Sequence, residues 1–294
     1  YIAQPLDHFN RRNNATYRQR YWVNEEHWRQ PDGPVFLYIG GEGSLSEFSV
    51  LSGEHVELAQ THRALLVSLE CFYGSSINPD GMTLESLKFL SSQQALADLA
   101  SFHLFISHKY NLTRNTWICF GGSYPGSLSA WFLKFPHLVY ASVASSAPVR
   151  AELNFTGYNK VVAWSLADLV IGGSEKCLDA VIKGFQVGVG ERQWYYQTCT
   201  GFGYYQTCED PSCPFSTLLT LQSQLDLCSQ VFQVPTESVL QSVQFTNEFY
   251  GADRPKSSRI IFVNGDVDPW HALSVLKNQS HSEIAILING TSHC

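Results

Sequence analysis

Three residues far apart in the chain have the types that nucleophilic acyl chemistry needs: Ser123, Asp268 and His293. A serine hydroxyl attacks well only when a base takes its proton, and the base works best when an acid holds its ring. Ser123 lies in Gly121-Gly122-Ser123-Tyr124-Pro125, directly after the apolar run Thr116-Trp117-Ile118-Cys119-Phe120. A buried strand that turns through glycines into a serine and then a helix is the outline of a nucleophile elbow. An ordinary strand–turn–helix is the competing reading, and Pro125 stands where G-x-S-x-G has its second glycine. Asp266 and Asp268 follow the apolar run Arg259-Ile260-Ile261-Phe262-Val263, and His293 follows the run 283–288. Serine, acid, histidine is the chain order of α/β-hydrolases, with each residue in a loop at the carboxyl end of a strand. Asp266 rivals Asp268, although an Asn-Gly-Asp turn can use its aspartate to cap itself. His62, His103, His108 and His137 precede the acid loop, and His271 and His281 come before the last strand, so they fit the order less well. The oxyanion donors would be the N–H of Tyr124 and that of Gly41, with a plain glycine turn as the rival reading of Gly41.

These residues need strands to carry them. Val35-Phe36-Leu37-Tyr38-Ile39 and Ala64-Leu65-Leu66-Val67-Ser68-Leu69 are continuous apolar runs, suited to strands buried on both faces. Helical spacing of Leu96, Leu99, Phe102, Phe105 and Ile106 predicts a helix over 91–109. Further strands are expected at 117–120, 139–145, 259–263 and 283–288, with a helix at 126–135. Strands alternating with helices predict a mostly parallel sheet with right-handed crossovers. From about residue 151 the pattern changes to aromatics, glutamines and cysteines, with helices expected at 158–170 and 216–232. The division that results is a core at 1–150, a cap insertion at 151–255 and a core return at 256–294.

Bulk composition narrows the function classes. The 294 residues are 44% hydrophobic and 15% charged, which is a globular composition. A net charge of −7 argues against nucleic acid as a partner. No apolar run is long enough to span a membrane. A start at Tyr1 without methionine suggests a processed or trimmed N-terminus, and no signal peptide is visible. Five N-x-S/T sequons, at Asn14, Asn111, Asn154, Asn278 and Asn289, favour the secretory route and N-linked glycans. Eight cysteines fit that route, and four of them, Cys199, Cys208, Cys213 and Cys228, crowd together. Cys208-x4-Cys213 resembles half a zinc site, but nothing nearby completes it, so disulfides of open connectivity are expected. Cys119, inside a predicted strand, reads as a buried free thiol. No metal or cofactor is expected.

Several motifs carry a family likeness. Gln4-Pro5-Leu6-Asp7-His8-Phe9, residues 40–43, Phe72-Tyr73-Gly74, residues 121–124, residues 144–148 and Asn264-Gly265-Asp266-Val267-Asp268-Pro269-Trp270 resemble the lysosomal Pro-X carboxypeptidase and dipeptidyl peptidase II family. Lys134-Phe135-Pro136-His137-Leu138 and Gly290-Thr291-Ser292-His293-Cys294 add to it. The resemblance implies an α/β-hydrolase core with a mainly helical, disulfide-bonded cap. It implies a serine exopeptidase of the endosomal–lysosomal system that acts on peptide substrates, after proline or a small residue near a peptide end. One branch of the family is linked to peptide processing for class II presentation. Carried over by motif, the nucleophile falls on Ser123, the acid on Asp268 and the base on His293, and Trp270 matches an aromatic wall of the S1 pocket.

The chain departs from the family pattern in places. The cap is shortened, with a join expected near residues 184–190. Leu69-Glu70-Cys71-Phe72-Tyr73 lacks the family's His-Arg pair, and the chain stops one residue after His293, which is expected to expose apolar surface. Pro125 disfavours a helical Tyr124 and is expected to disturb its N–H donor. Ser127 stands where proline-specific relatives have a larger apolar residue. Two other readings stay open: an inactive relative that binds peptides, and an esterase or lipase on the same fold.

Overall fold

The computed structural model describes residues 1–71, 83–171, 190–215 and 217–294. Phe72-Tyr73-Gly74, Cys177 and nearly all of the expected join lie outside the described residues. In chain order the strands are β1 (Ile2–Pro5), β2 (Thr16–Gln19), β3 (Tyr21–Asn24), β4 (Val35–Ile39), β5 (Leu65–Leu69), β6 (Trp117–Gly122), β7 (Ala141–Ser145), β8 (Glu152–Asn154), β9 (Gly203–Tyr205), β10 (Ile260–Gly265) and β11 (Glu283–Ile288). The α-helices are α1 (Glu54–His62), α2 (Leu84–Leu87), α3 (Ser92–Tyr110), α4 (Tyr124–Phe132), α5 (Thr156–Ile171), α6 (Glu191–Gln197), α7 (Leu221–Phe232) and α8 (Thr236–Tyr250).

Among the described residues the main sheet runs β11-β10-β7-β6-β4-β5-β3. Every pairing in it is parallel except β3 with β5. Val35, Leu37, Leu65 and Val67 are fully buried, as strands covered on both faces require. The helix α3 begins at the N-cap Ser91, whose side chain accepts from Gln94 N–H, and ends on Asn111 in the left-handed region. Its Leu96, Leu99, Phe102 and Ile106 face the core.

The segment between β7 and β10 holds α5 to α8 and the short parallel pair β8–β9. Disulfides Cys199–Cys228 and Cys208–Cys213 staple it. Its α8 docks on the core: the Tyr250 ring stacks on Trp131 with centroids 4.0 Å apart, and its hydroxyl donates to Ser92 Oγ at 2.9 Å. Phe202, Tyr204 and Phe232 join the same hydrophobic cluster as Tyr124 and Trp131 of α4, so cap-side and core-side rings pack as one body. Cys119 is a buried thiol without a disulfide, as its place in β6 predicts. On one face of β10–β11, Ile261, Ile284, Ile286 and Ile288 are exposed.

Two departures from the sequence reading have identifiable reasons. The helix expected at 126–135 begins earlier, at Tyr124. Proline is tolerated in a first helical turn, where its missing N–H has no intrahelical partner to lose. The N-terminal β1–β2 hairpin and the antiparallel edge strand β3 were not expected at all. Their buried faces include Gln4 and Gln19, where Gln4 Nε2 donates to Gln19 Oε1 at 2.9 Å. A polar pair of that kind hides a strand from hydrophobic patterning.

Candidate active site

The elbow between β6 and α4 presents Ser123. Its backbone sits at φ 61° and ψ −131°, a strained conformation for a residue with a side chain. The turn is held by Ser123 N–H to Ser145 O at 2.9 Å and by Ser127 N–H to Ser123 O at 3.1 Å. Two glycines allow the close packing. A Cβ on Gly121 would lie 2.2 Å from Pro125 O, and one on Gly126 would lie 2.7 Å from Ser145 O. Gly126 therefore gives the close approach to β7 that a glycine at 125 would be expected to give, and Pro125 is accommodated beside it.

His293 and Asp268 arrive from the neighbouring strands. His293 Nε2 lies 2.9 Å from Ser123 Oγ, across 170 residues of chain. His293 Nδ1 lies 2.9 Å from Asp268 Oδ2, and the Asp268 side chain is fully buried. That approach is short but not aligned as a straight hydrogen bond, a common state for an unliganded catalytic pair. The other oxygen, Asp268 Oδ1, accepts the N–H of Trp270 at 2.9 Å and caps a short 3₁₀ turn at Pro269–Leu273. Asp266 turns elsewhere: its Oδ1 accepts Gly290 N–H at 2.7 Å, so it ties the acid loop to the histidine loop. The structure thus sets Asp268, to which the family motif pointed, against His293 and turns Asp266 away from it.

The remaining site residues surround this line. Tyr124 opens α4 and is buried, and Gln197 Nε2 donates to its hydroxyl at 3.2 Å. Pro125 does not displace Tyr124 from the helix, contrary to the expectation drawn from it. Gly41 sits in the loop after β4, close enough that a Cβ there would lie 3.0 Å from Pro125 Cγ. Glu70 fastens that loop. It pairs with Arg20 through contacts of 3.0 and 2.5 Å, and accepts Leu45 N–H at 2.9 Å. Trp270 packs among Tyr204, Tyr158 and Phe155, at centroid distances of 5.3, 5.6 and 5.7 Å, and 6.5 Å from the His293 ring. This aromatic group runs from the cap to the His293 ring. An open cleft of about 660 Å³ lies on the other side of Ser123, lined by Tyr38, Leu45, Phe48, Glu54, His55 and Cys294 among others.

Sequence reasoning passed over the side chain of Glu42, although it stood within a motif already singled out. The signal was a carboxylate in a glycine turn directly after a strand that is buried except at Tyr38. Burial pushes its pKa up, against the pull of its own N–H, His293 and the Tyr124 N–H. Burial also raises the Cys294 thiol, so that neighbour of His293 is a poor nucleophile. Among the described residues no cluster suited to a metal ion occurs. No described helix is long and apolar enough to cross a membrane. Asn14, Asn111, Asn278 and Asn289 are exposed, whereas Asn154 is half-buried with its amide held by Thr207 and Glu209.

A profile described as serine carboxypeptidase S28 matches residues 4–189 and 183–294. The thymus-specific serine protease of Homo sapiens is 39% identical over 413 aligned residues, which take in 100% of this chain and 80% of that protein. That span exceeds the 294 residues here, so the relative carries a long stretch without a counterpart. The two profile matches meet at 183–189, close to the join expected at 184–190. The lysosomal Pro-X carboxypeptidase of Bos taurus is 38% identical over 156 residues, 51% of this chain and 31% of its own length. Among solved structures, an acylaminoacyl peptidase in complex with Z-Gly-Gly-Phe-chloromethyl ketone aligns with 94% of this chain and 35% of its own, at a TM-score of 0.50 and 12% identity. A thermophilic carboxylesterase from a metagenomic library aligns with 95% and 76%, also at 0.50, with 13% identity. At such identities the likeness shows the α/β-hydrolase fold and nothing about substrate.

Proposed function

The chain belongs to the serine carboxypeptidase S28 family and is a serine-type peptidase, and from that premise we propose that Ser123, His293 and Asp268 are its nucleophile, base and orienting acid. The observation that carries this reading is the line from Ser123 Oγ through both ring nitrogens of His293 to the buried carboxylate of Asp268. His293 takes the Ser123 proton as the hydroxyl attacks the scissile carbonyl. It returns that proton to the leaving amine, which frees an acyl-enzyme. Water, deprotonated by the same imidazole, then releases the acid product and restores Ser123. Asp268 keeps Nδ1 protonated and so leaves Nε2 free to accept. The N–H groups of Tyr124 and Gly41 are the proposed oxyanion donors. Trp270, with Tyr158, Phe155 and Tyr204, forms the wall for the residue before the cut.

The substrate proposed is a peptide trimmed near one end in the endosomal–lysosomal system, including peptides destined for class II presentation. Support comes from the relatives named as lysosomal Pro-X carboxypeptidases, from two disulfides, and from exposed sequons at Asn14, Asn111, Asn278 and Asn289. The division into a core at 1–150 and 256–294 with a cap at 151–255 is part of the same proposal.

Titration of the glycosylated protein with a fluorophosphonate tests the triad. Stoichiometric labelling is expected, lost in Ser123→Ala and nearly lost in His293→Ala. A folded protein that takes no label would sink the proposal and leave the peptide-binding reading in its place. Peptides blocked at the amino or the carboxyl end, compared with a simple acyl ester, would then define the substrate.

A further inference from the structure

Tyr204 belongs to the cap, yet its ring lies against the acid turn of the core. It meets Trp270 at nearly a right angle, with centroids 5.3 Å apart and planes at 83°. An edge-to-face pair sets positive edge on negative face, so it fixes an orientation as well as a contact. Tyr204 is 5% exposed, whereas Trp270 is half-buried. Substrate can therefore touch Trp270, while Tyr204 stands behind it. The backbone is strained to bring the ring there. Tyr204 sits at φ 65°, a conformation few residues with a side chain adopt, and Gly203 before it sits at φ 69°. A Cβ on Gly203 would lie 2.7 Å from Glu152 O. The π-helical turn Thr198–Phe202 comes directly before, and such turns are rare and occur frequently at functional sites. The ring is gripped from several sides. Its hydroxyl donates to Pro148 O, just past β7 of the core, and Phe202 and Trp194 stack with it at centroid distances of 5.5 and 6.1 Å.

We propose that Tyr204 is a positioning residue for specificity: it holds the Trp270 ring at the angle that selects the residue before the cut. The inference rests on the reading of Trp270 as the wall for that residue. No atom of Tyr204 has to reach the substrate. The contact lets the cap tune selectivity, because Tyr204 lies on β9 and Trp270 on the turn after β10. The same pairing of β8 with β9 brings up Phe155, whose N–H donates to Tyr205 O at 2.8 Å. Without the Tyr204 ring, one side of Trp270 loses its support. Its side chain can then turn to other rotamers, and the pocket loses its shape for one residue over another. The bonds that join Ser123, His293 and Asp268 do not involve Tyr204, so the chemical step keeps its machinery.

The test is kcat/KM on matched peptides with proline, alanine or phenylalanine before the cut, beside the rate of fluorophosphonate labelling. Asparagine tolerates the left-handed backbone but carries no ring, so Tyr204→Asn is the main variant. It is expected to narrow the spread between best and worst peptide by roughly three- to tenfold, the range one aromatic pair supplies. Its labelling rate should stay within about twofold of wild type, because the small probe does not use the wall. Tyr204→Phe keeps the ring and is expected to keep the spread. Tyr204→Leu keeps apolar volume and serves if the asparagine variant does not fold. Adding Y204N to Trp270→Leu should narrow the spread no further, since nothing is left to position. An unchanged spread in the ringless variants would overturn the inference. So would additive losses in the double variant, or one common factor on every peptide and on the probe, the mark of a merely structural role. A wild type that takes no label would overturn the triad, and the inference with it. A wild type that labels yet cuts the three peptides alike would overturn the wall reading and this inference while leaving the triad standing.

Discussion

Two places in the molecule hold the same three functional groups, an aspartate, a histidine and a hydroxyl, wired differently. In the active site, Asp268 meets His293 Nδ1 at 2.9 Å and Ser123 Oγ meets Nε2 at 2.9 Å, so the imidazole stands between acid and hydroxyl. Under the N-terminal hairpin, His8 Nε2 meets Asp98 Oδ1 at 2.7 Å while Tyr17 donates to Oδ2 at 2.6 Å, so the carboxylate stands in the middle. The first order can pass a proton from hydroxyl to base. The second can only hold three groups together, because no hydroxyl faces a free basic nitrogen. Placement around the ring separates a reaction centre from a clasp.

The largest effect that would sharpen this contrast is in the centre. Ser123→Ala is expected to lower kcat roughly a millionfold with little change in thermal stability. Asp268→Asn is expected to cost about ten-thousandfold, because the amide favours the wrong tautomer. If Asp268→Asn kept near-wild turnover, the acid would belong elsewhere and the comparison would break. Asp98→Asn should do the opposite. Its turnover per folded molecule stays at wild-type level, while unfolding free energy falls by about 1–3 kcal/mol through the weakened bonds to His8 and Tyr17. Chemical denaturation beside active-site titration would separate the two.

His103 supplies a histidine with no carboxylate. It packs against Trp117 with centroids 4.3 Å apart, and burial lowers its pKa to about 4. The folded protein thus keeps it neutral while the unfolded chain binds a proton below about 6.5. Protons taken up only on unfolding make stability fall as pH drops through that window, down to about 4. His103→Gln is expected to narrow the loss of Tm between pH 7 and 5 by a few degrees, the smallest of these effects. An unchanged slope would refute that role.

Much of the core was legible as sequence. The limits of β4 and β11 agree with the apolar runs that predicted them: in β4 the run reflects burial on both faces, whereas in β11 the same apolar signal belongs to a strand that leaves Ile284, Ile286, Leu287 and Ile288 exposed. The helix α8 was missed although its buried Val239, Val243, Thr246 and Tyr250 recur at helical spacing, because exposed Leu240, Phe245 and Phe249 blur its apolar face. The edge elements β1 and β2 were missed because their buried Gln4 and Gln19 find partners far along the chain, Asp98 O and Glu70 O, and β3 because all four of its residues are only half-buried. Of the candidate site, the serine and histidine were legible from local pattern and order, whereas Asp268 was preferred to Asp266 only through the family motif.

What the sequence determined by itself is what local physics writes into short runs: buried strands, a glycine elbow, and the order of nucleophile, acid and base. Tertiary structure alone brought the Asp268 carboxylate to 2.9 Å from His293 Nδ1 and left no room for a Cβ on Gly126 beside Ser145 O. Each of these depends on side chains brought within about 3 Å across loops from different strands. A shift of one residue in a turn redirects such a side chain, and that direction is set by packing rather than by residue type.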